Sequence, residues 1–335
     1  MTNHRVLCAD LLLVLTIMLA ACGGASSTMT ATSEPPASPT PAATSEPSAS
    51  PTPTATPEPP VVMLTDDIGN EVEIEGPVER IVSLAPSNTE IAFALGLGDQ
   101  IVGVTDFCDY PPQALEIEKI GGVEPNLEQI VALDPDLVLA IGGEPDPLII
   151  GQLQELGLAV LVLKPDDLDA LYHDIELVGQ ATGVQQRAEE LVAEMQERVA
   201  AVTAVTADVT ERPLVFYELD GTDPTKPWTA GSGSWHDEFI HMVGGTNLAG
   251  TQESAWVQLN AEEIVAQDPV IIILGDAAWG TTPESVAERP GWDVISAVRD
   301  GRVYPIDDNL ISRPGPRVVE GIEELARLIH PELFE

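Results

Sequence analysis

The sequence predicts an α/β protein of two halves with a similar plan, each a mostly parallel sheet flanked by helices, joined by one long helix. Three observations predict it. The first is a repeat: Asn126 opens NLEQIVALDPDLVL and Asn260 opens NAEEIVAQDPVIII, with Asn, Glu, Ile, Val, Ala, Asp and Pro coinciding without a gap. Each copy reads as an Asn-capped amphipathic helix, an Asp-Pro turn and a buried apolar strand. The second is the stretch from Val184 to Val205, between the copies. There Val184, Ala188, Leu191, Val192, Met195, Val199 and Val202 recur at spacings of three and four, one stripe of a helix. At ~1.5 Å rise per residue it is roughly 33 Å long, and Glu194 and Arg198 stand at the favourable i, i+4 separation. The third is the alternation of short apolar strands with helical stretches, which indicates parallel sheets.

From the amino terminus, Leu11 to Ala21 is too short for a bilayer span and suits the apolar region of a signal peptide, so residues 1–21 are expected to be a leader. The step Leu19-Ala20-Ala21-Cys22-Gly23 resembles the lipobox of bacterial lipoproteins, which implies lipid on Cys22 and a membrane tether at the outer face of the cell membrane. Residues 22–60 are nearly all Ser, Thr, Ala, Pro and Gly, too poor in apolar groups to fold, and read as a disordered spacer. Cys108 is then the one thiol left to the folded part, which excludes an intrachain disulfide.

Residues 61–167 are expected to form the first lobe, 168–207 the connecting helices and 208–335 the second lobe. The first lobe opens with a hairpin, Val61 to Ile74, turning at Ile68-Gly69-Asn70. Strand Arg80–Leu84 follows, then a helix over Asn88–Leu95 with Ser87 as N-cap and Glu90 in a capping box. Strand Ile101–Val104, the first repeat, helix Leu148–Leu156 and strand Val160–Leu163 complete it. Helix Leu168–Gly179, closed by Gly183, leads into the long helix. The second lobe reads as strand Leu214–Leu219, a loop rich in Gly, Pro and Trp, and a helix capped by Ser234 that stops at Gly244-Gly245. The second repeat, a loop over 275–291, strand Val303–Ile306, a loop over 307–317 and a helix to Leu328 follow. Trp228, Trp235, Trp256, Trp279 and Trp292 all lie in this half, several in expected loops, where aromatics suit a ligand cleft.

With 55 acids against 14 bases the formal charge is -41, which argues against nucleic acid as a partner because phosphate binding needs basic surface. No Gly-x-Ser-x-Gly elbow is present; Gly231-Ser232-Gly233-Ser234 lacks the register. No Gly-Lys-Ser/Thr follows a glycine run either. His173, His236, His241 and His330 are scattered, with no metal-ligand spacing. An enzyme and a metal receptor are therefore disfavoured, and no cofactor is expected.

The segments RIVSLAPSNTEIAFALGLGDQIVGVT, CDYPPQA, NLEQIVALDPDLVLA, RPGW with VRDGRVYPID, and SRPGPRVVEGIEELARLIHPE together resemble the iron-siderophore/cobalamin family of ABC-transporter substrate-binding proteins. The resemblance runs from Val61 to the carboxyl end. It implies two α/β lobes, a rigid connecting helix, a ligand cleft between the lobes and delivery to a membrane permease dimer by a receptor expected to act as a monomer. Within the family the chain is most similar to cobalamin binders; a ferric siderophore or haem is the alternative cargo. The resemblance places Tyr110, Trp228, Trp256 and the segment Asn309 to Arg313 at the ligand, and Glu128 and Glu262 at the two permease subunits. The chain departs from the family at Gly121-Gly122, where cobalamin binders can carry Trp, and at Val243 and Ala326, where some members pair cysteines.

Physical readings stand beside these roles. Glu128 and Glu262 each fall in the first turn of a helix, where a carboxylate meets the positive end of the dipole. Broad aromatic walls with a few oriented donors suit a large flat ligand. Arg313 supplies a fixed fork for phosphate, carboxylate or amide oxygen, whereas Arg317 begins a helix and reads as structural.

Overall fold

The computed structural model describes residues 61–143 and 147–334; the expected leader, the spacer and Cys22 lie outside them. In the first lobe β1 (Val61–Thr65) and β2 (Glu71–Glu75) form an antiparallel hairpin, its turn held by Asp66, which accepts from the backbone of Ile68 and Asn70. Then come β3 (Ile81–Ser83), α1 (Pro86–Ala94), β4 (Ile101–Val104), α2 (Leu127–Ala132), β5 (Leu137–Ile141), α3 (Pro147–Glu155) and β6 (Val160–Leu163). Their sheet is parallel throughout, in the order β4-β3-β5-β6.

Two helices connect the lobes, α4 (Leu168–Thr182) and α5 (Gln185–Thr206). Gly183 ends α4 in the left-handed region at φ 76°, a conformation that glycine adopts without a Cβ penalty. The second lobe holds β7 (Leu214–Asp220), β8 (Trp228–Ala230), α6 (Trp235–Met242), β9 (Thr246–Asn247), β10 (Trp256–Gln258) and α7 (Ala261–Gln267). It continues with β11 (Ile271–Leu274), α8 (Pro283–Ala287), α9 (Ser296–Arg299), β12 (Val303–Pro305), α10 (Asn309–Ser312) and α11 (Val318–Ile329). Its sheet runs β10-β8-β7-β11-β12 with β9 also beside β7, and β8 is antiparallel to both of its neighbours.

Period-two alternation sorts the buried strands between two cores. Leu137 and Leu139 of β5 face one side, Val138 and Ala140 the other, and all four are fully buried. Ile271 and Ile273 are likewise divided from Ile272 and Leu274 in β11. That is why both strands read as unbroken apolar runs. The inner core is continuous: Leu139 and Leu163, Ile175 of α4, Met195 of α5, Ile273, and Leu325 of α11 belong to one buried cluster. The predicted stripe on the long helix holds, with Ala188, Leu191, Val192, Met195 and Val202 buried.

The repeat is one structure built twice. Asn126 accepts from the backbone N–H of Glu128 and Gln129, and Asn260 from that of Glu262. Ile130 and Ile264 are fully buried, and Asp134 and Asp268 close the helices at φ 47° and 51°. Ser234 caps α6 as expected, accepting from Asp237 N–H.

Several local expectations are corrected. Ala85, not Ser87, precedes the first turn of α1, and Pro86 starts it, since its fixed φ suits that position and it has no N–H to satisfy. Ser87 is buried inside the helix, and Glu90 makes no capping box because its carboxylate is drawn to Arg317. Glu194 and Arg198 do not pair: Arg198 donates to Glu323 of α11 at 2.9 and 3.0 Å, and Arg187 approaches Glu194 at 3.4 Å. A bidentate carboxylate on the facing helix outcompetes a flexible i, i+4 partner. The expected loops over 275–291 and 307–317 contain α8 and α10, and the expected loop positions of Trp228 and Trp256 are strands. Trp292 is a core residue, edge-on to Phe216 at 6.1 Å and beneath the Arg289 guanidinium. Arg289 also pairs with Glu218, both buried within the second lobe.

Candidate functional site

The second lobe presents an aromatic wall. Directly opposed residues of an antiparallel pair share a face; Trp256 stands opposite Ala230 and Gln258 opposite Trp228, which puts both tryptophans on one face as diagonal neighbours. They are 42% and 51% exposed, a large apolar area left uncovered for rings on a three-residue strand pair. Behind Trp256 the buried His236 ring stands edge-on at 5.7 Å, and Tyr217 stands edge-on to His236 at 4.5 Å.

This wall is tied to the turn that carries Asn309 and Arg313. Asp308 accepts from Tyr217 Oη at 2.7 Å and from Ser312 Oγ at 2.5 Å, and its Oδ1 lies 3.1 Å from His236 Nε2. With the proton on Nε2, His236 donates to Asp308 and Nδ1, which has no partner, is the bare nitrogen. Burial pushes the Asp308 carboxyl up, but the hydrogen bonds from His236, Ser312 and Tyr217 outweigh it and hold the group below its usual range. Burial, then the Asp308 charge, pushes the Tyr217 phenol well up, so it stays a donor. Asn309 is half-buried and gives its backbone N–H and Nδ2 to Asp307 Oδ1 at 3.1 and 2.9 Å.

On the first lobe the facing loop follows β4. Lys119 Nζ pins it by donating to the carbonyls of Thr105, Cys108 and Ala114. Cys108 is buried beneath the loop, its Sγ 3.2 Å from the hydroxyls of both Thr89 and Thr105. Tyr110 is 41% exposed, with the Arg317 guanidinium stacked over its ring at 3.8 Å. It lines a groove of about 440 Å³ together with Phe93, Leu191, Met195 and Arg317, between α1, α5 and α11. Phe107, on the same loop, is 51% exposed and lies beside Gly122, where an added Cβ would be 3.5 Å from its ring. Sequence reading passed over Phe107, although an aromatic three residues before Tyr110 in a Pro-flanked loop was the available signal.

Four charged side chains join the lobes here. Glu90 receives Nε and Nη2 of Arg317 at 2.8 and 2.6 Å. Asp109 receives Nη1 and Nη2 of Arg313 at 2.5 and 3.3 Å, and Glu90 Oε1 lies 3.7 Å from Arg313 Nη1. The structure thus brings Trp228 with Trp256, and Arg313 with the Tyr110 loop through Asp109. Tyr110 and Arg313 follow parallel strands β4 and β12, and crevices beyond the carboxyl ends of such strands are where α/β sheets bind ligands. Glu128 and Glu262 sit apart, exposed on the first turns of α2 and α7, one on each lobe.

Among the described residues no three His, Cys, Asp or Glu side chains are grouped to hold a metal ion, and no helix is long and apolar enough to cross a membrane.

The family model described as periplasmic binding protein matches residues 81–310. A Bacillus subtilis relative named uncharacterized ABC transporter substrate-binding lipoprotein YvrC is 37% identical over 281 residues, covering 82% of this chain and 87% of the relative. The vitamin B12-binding protein of Vibrio cholerae is 30% identical over 256 residues, covering 74% of this chain and 88% of that protein. Among solved structures, the periplasmic haem-binding protein RhuT from Roseiflexus is similar with a TM-score of 0.69 at 30% identity, over 76% of this chain and 99% of that one.

Proposed function

Because the chain belongs to the periplasmic binding protein family, we propose that it is the extracytoplasmic receptor of an ABC importer, capturing a corrinoid between its lobes and handing it to the permease. The observation that carries this reading is the paired face of Trp228 and Trp256, supported from behind by His236 and Asp308. A corrinoid is a broad flat ring fringed with amide oxygens, and two exposed indoles with donors at their margin are complementary to it. Trp228 and Trp256 supply the wall, Asn309 and Arg313 the donors, and Tyr110 and Phe107 the facing aromatics of the first lobe. The similarity to a vitamin B12-binding protein supports the cargo. Haem or a ferric siderophore is the second reading; likeness to a haem-binding structure supports it, and a planar macrocycle with carboxylates would use the same indoles and the same arginine.

The function is binding and handover, without bond chemistry. Glu128 and Glu262, exposed at matching places in the two repeats, are assigned to arginines on the two permease subunits, an arrangement suited to a two-fold partner. Cys22 is assigned the lipid that tethers a monomeric receptor to the membrane. The test of cargo is tryptophan fluorescence of the purified protein titrated with cyanocobalamin, cobinamide, haemin and a panel of ferric siderophores. Sub-micromolar quenching by the corrinoids supports the reading; quenching by haemin or a siderophore alone transfers the cargo to the second reading.

A further inference from the structure

We propose that Asp109 is a built-in occupant of the Arg313 fork, an exchangeable carboxylate that an anionic oxygen of the ligand displaces and a neutral amide does not, so that the cost of the exchange falls on anionic ligands alone. The inference rests on the reading of Arg313 as a ligand-binding residue.

The two cation–carboxylate pairs between the lobes are unlike. Glu90 has a side chain 2% exposed and both of its oxygens accept from Arg317, whose own side chain is 14% exposed. Glu90 is buried and Arg317 is the close partner of both its oxygens, so that pair stays. The Asp109 side chain is 53% exposed while that of Arg313 is 18% exposed. A carboxylate so open to water re-solvates at small cost. When it leaves, Arg313 keeps its place because Glu90 Oε1 remains 3.7 Å from Nη1. The fork is thereby held in position with its outer partner replaceable.

The Nη1–Nη2 edge of Arg313, which holds Asp109, presents its planar pair of N–H groups to one dioxo group at a time. Phosphate or carboxylate reproduces the geometry of Asp109 and carries its charge; a neutral amide offers a single oxygen and no charge, and competes poorly. The hydrogen bond from Arg313 holds the Asp109 carboxyl below its usual range, against the upward push of burial, so the occupant is charged throughout the neutral range.

The test is Asp109→Asn in the full chain, with and without Arg313→Ala. In the absence of ligand, phenylglyoxal modification of Arg313, followed by peptide mass spectrometry, is expected to accelerate severalfold in Asp109→Asn while Arg317 is unchanged. Equal Arg313 rates in the two proteins overturn the occupancy. With ligand, cyanocobalamin, which carries a phosphodiester, is expected to bind about fivefold more tightly to Asp109→Asn. Cobinamide, which lacks that group, is expected to change by less than about twofold. The gain should vanish when Arg313 is alanine. Unchanged cyanocobalamin affinity in Asp109→Asn, alongside weakened binding in Arg313→Ala, overturns the exchange and leaves Arg313 as a ligand residue. Faster modification of Arg313 with no corrinoid binding to the wild type refutes the cargo while supporting the occupancy.

Discussion

Asn126 and Asn260 cap helices of the same plan, each followed by an aspartate in the left-handed region and a strand buried on both faces, yet the sheets around them diverge. The four-stranded sheet of the first lobe is parallel to its edges, and that lobe offers the site a loop stapled by Lys119 and Cys108. The second lobe adds β8 and β10 in antiparallel sense and offers a rigid wall bearing Trp228 and Trp256. A shared scaffold thus underlies both lobes, while the edges at the site differ, one presenting a pinned loop and the other a strand-borne aromatic surface. Preformed aromatic surface costs little ordering on binding, so the second lobe should dominate affinity.

The largest effect expected comes from the feature the lobes share. Glu128→Arg with Glu262→Arg should abolish uptake of labelled ligand in cells while leaving its dissociation constant unchanged, and each single variant should be impaired to a similar degree. Lost binding in the double variant would count against docking.

Next is a contrast between the charged pairs. Arg289→Ala leaves Glu218 buried without its partner and should cost about 3–5 kcal/mol in urea unfolding. Burial already pushes the Glu218 carboxyl up against the pull of Arg289. Arg317→Ala should cost clearly less, because Arg313 stands 3.7 Å from Glu90 and can take over. Equal losses would refute that difference.

Asp174, buried in α4 of the connecting pair, gives a pH effect. Burial, with the charges of Asp67 and Asp166, pushes its carboxyl up to about 9. Below the ordinary carboxylate range both folded and unfolded chains carry the proton and the group costs nothing. As pH rises, the unfolded chain releases the proton first, so stability falls until about pH 9 and then levels. Asp174→Asn should flatten the thermal-stability profile between about pH 4 and pH 9 and raise the melting temperature at pH 8; an unaltered profile would remove Asp174 as its cause. The smallest effect returns to the repeat: Asn126→Ala and Asn260→Ala should each cost ~0.5–2 kcal/mol by chemical denaturation, and by similar amounts.

The parts legible in the sequence are those set by local pattern. Continuous runs such as LVLA and IIIL announce strands buried on both faces, and Asn126, Asn260 and Ser234 announce helix starts, because cap and periodicity act within a few residues. Trp228 and Trp256 escaped as strand residues because β8 and β10 are only three residues long and sit among Gly, Pro and Ser. The Glu90–Arg317 pair spans 227 positions, so no local rule exposes it, and a capping box was the plausible local reading of a carboxylate serving the other lobe. The positions of Glu128 and Glu262 were legible because they belong to the repeat. Asp109 gained meaning only when the fold brought its loop against Arg313.

The β8–β10 face is proposed as the principal ligand wall. Calorimetric titration of wild type, Trp228→Ala, Trp256→Ala and Tyr110→Ala with cyanocobalamin tests it most directly. Sub-micromolar binding is expected for the wild type, with a loss of about tenfold or more for each tryptophan variant and a smaller loss for Tyr110→Ala, whose ring is already covered by Arg317. Unchanged affinity in both tryptophan variants, with the main loss at Tyr110, would contradict it and move the ligand to the groove beside α5.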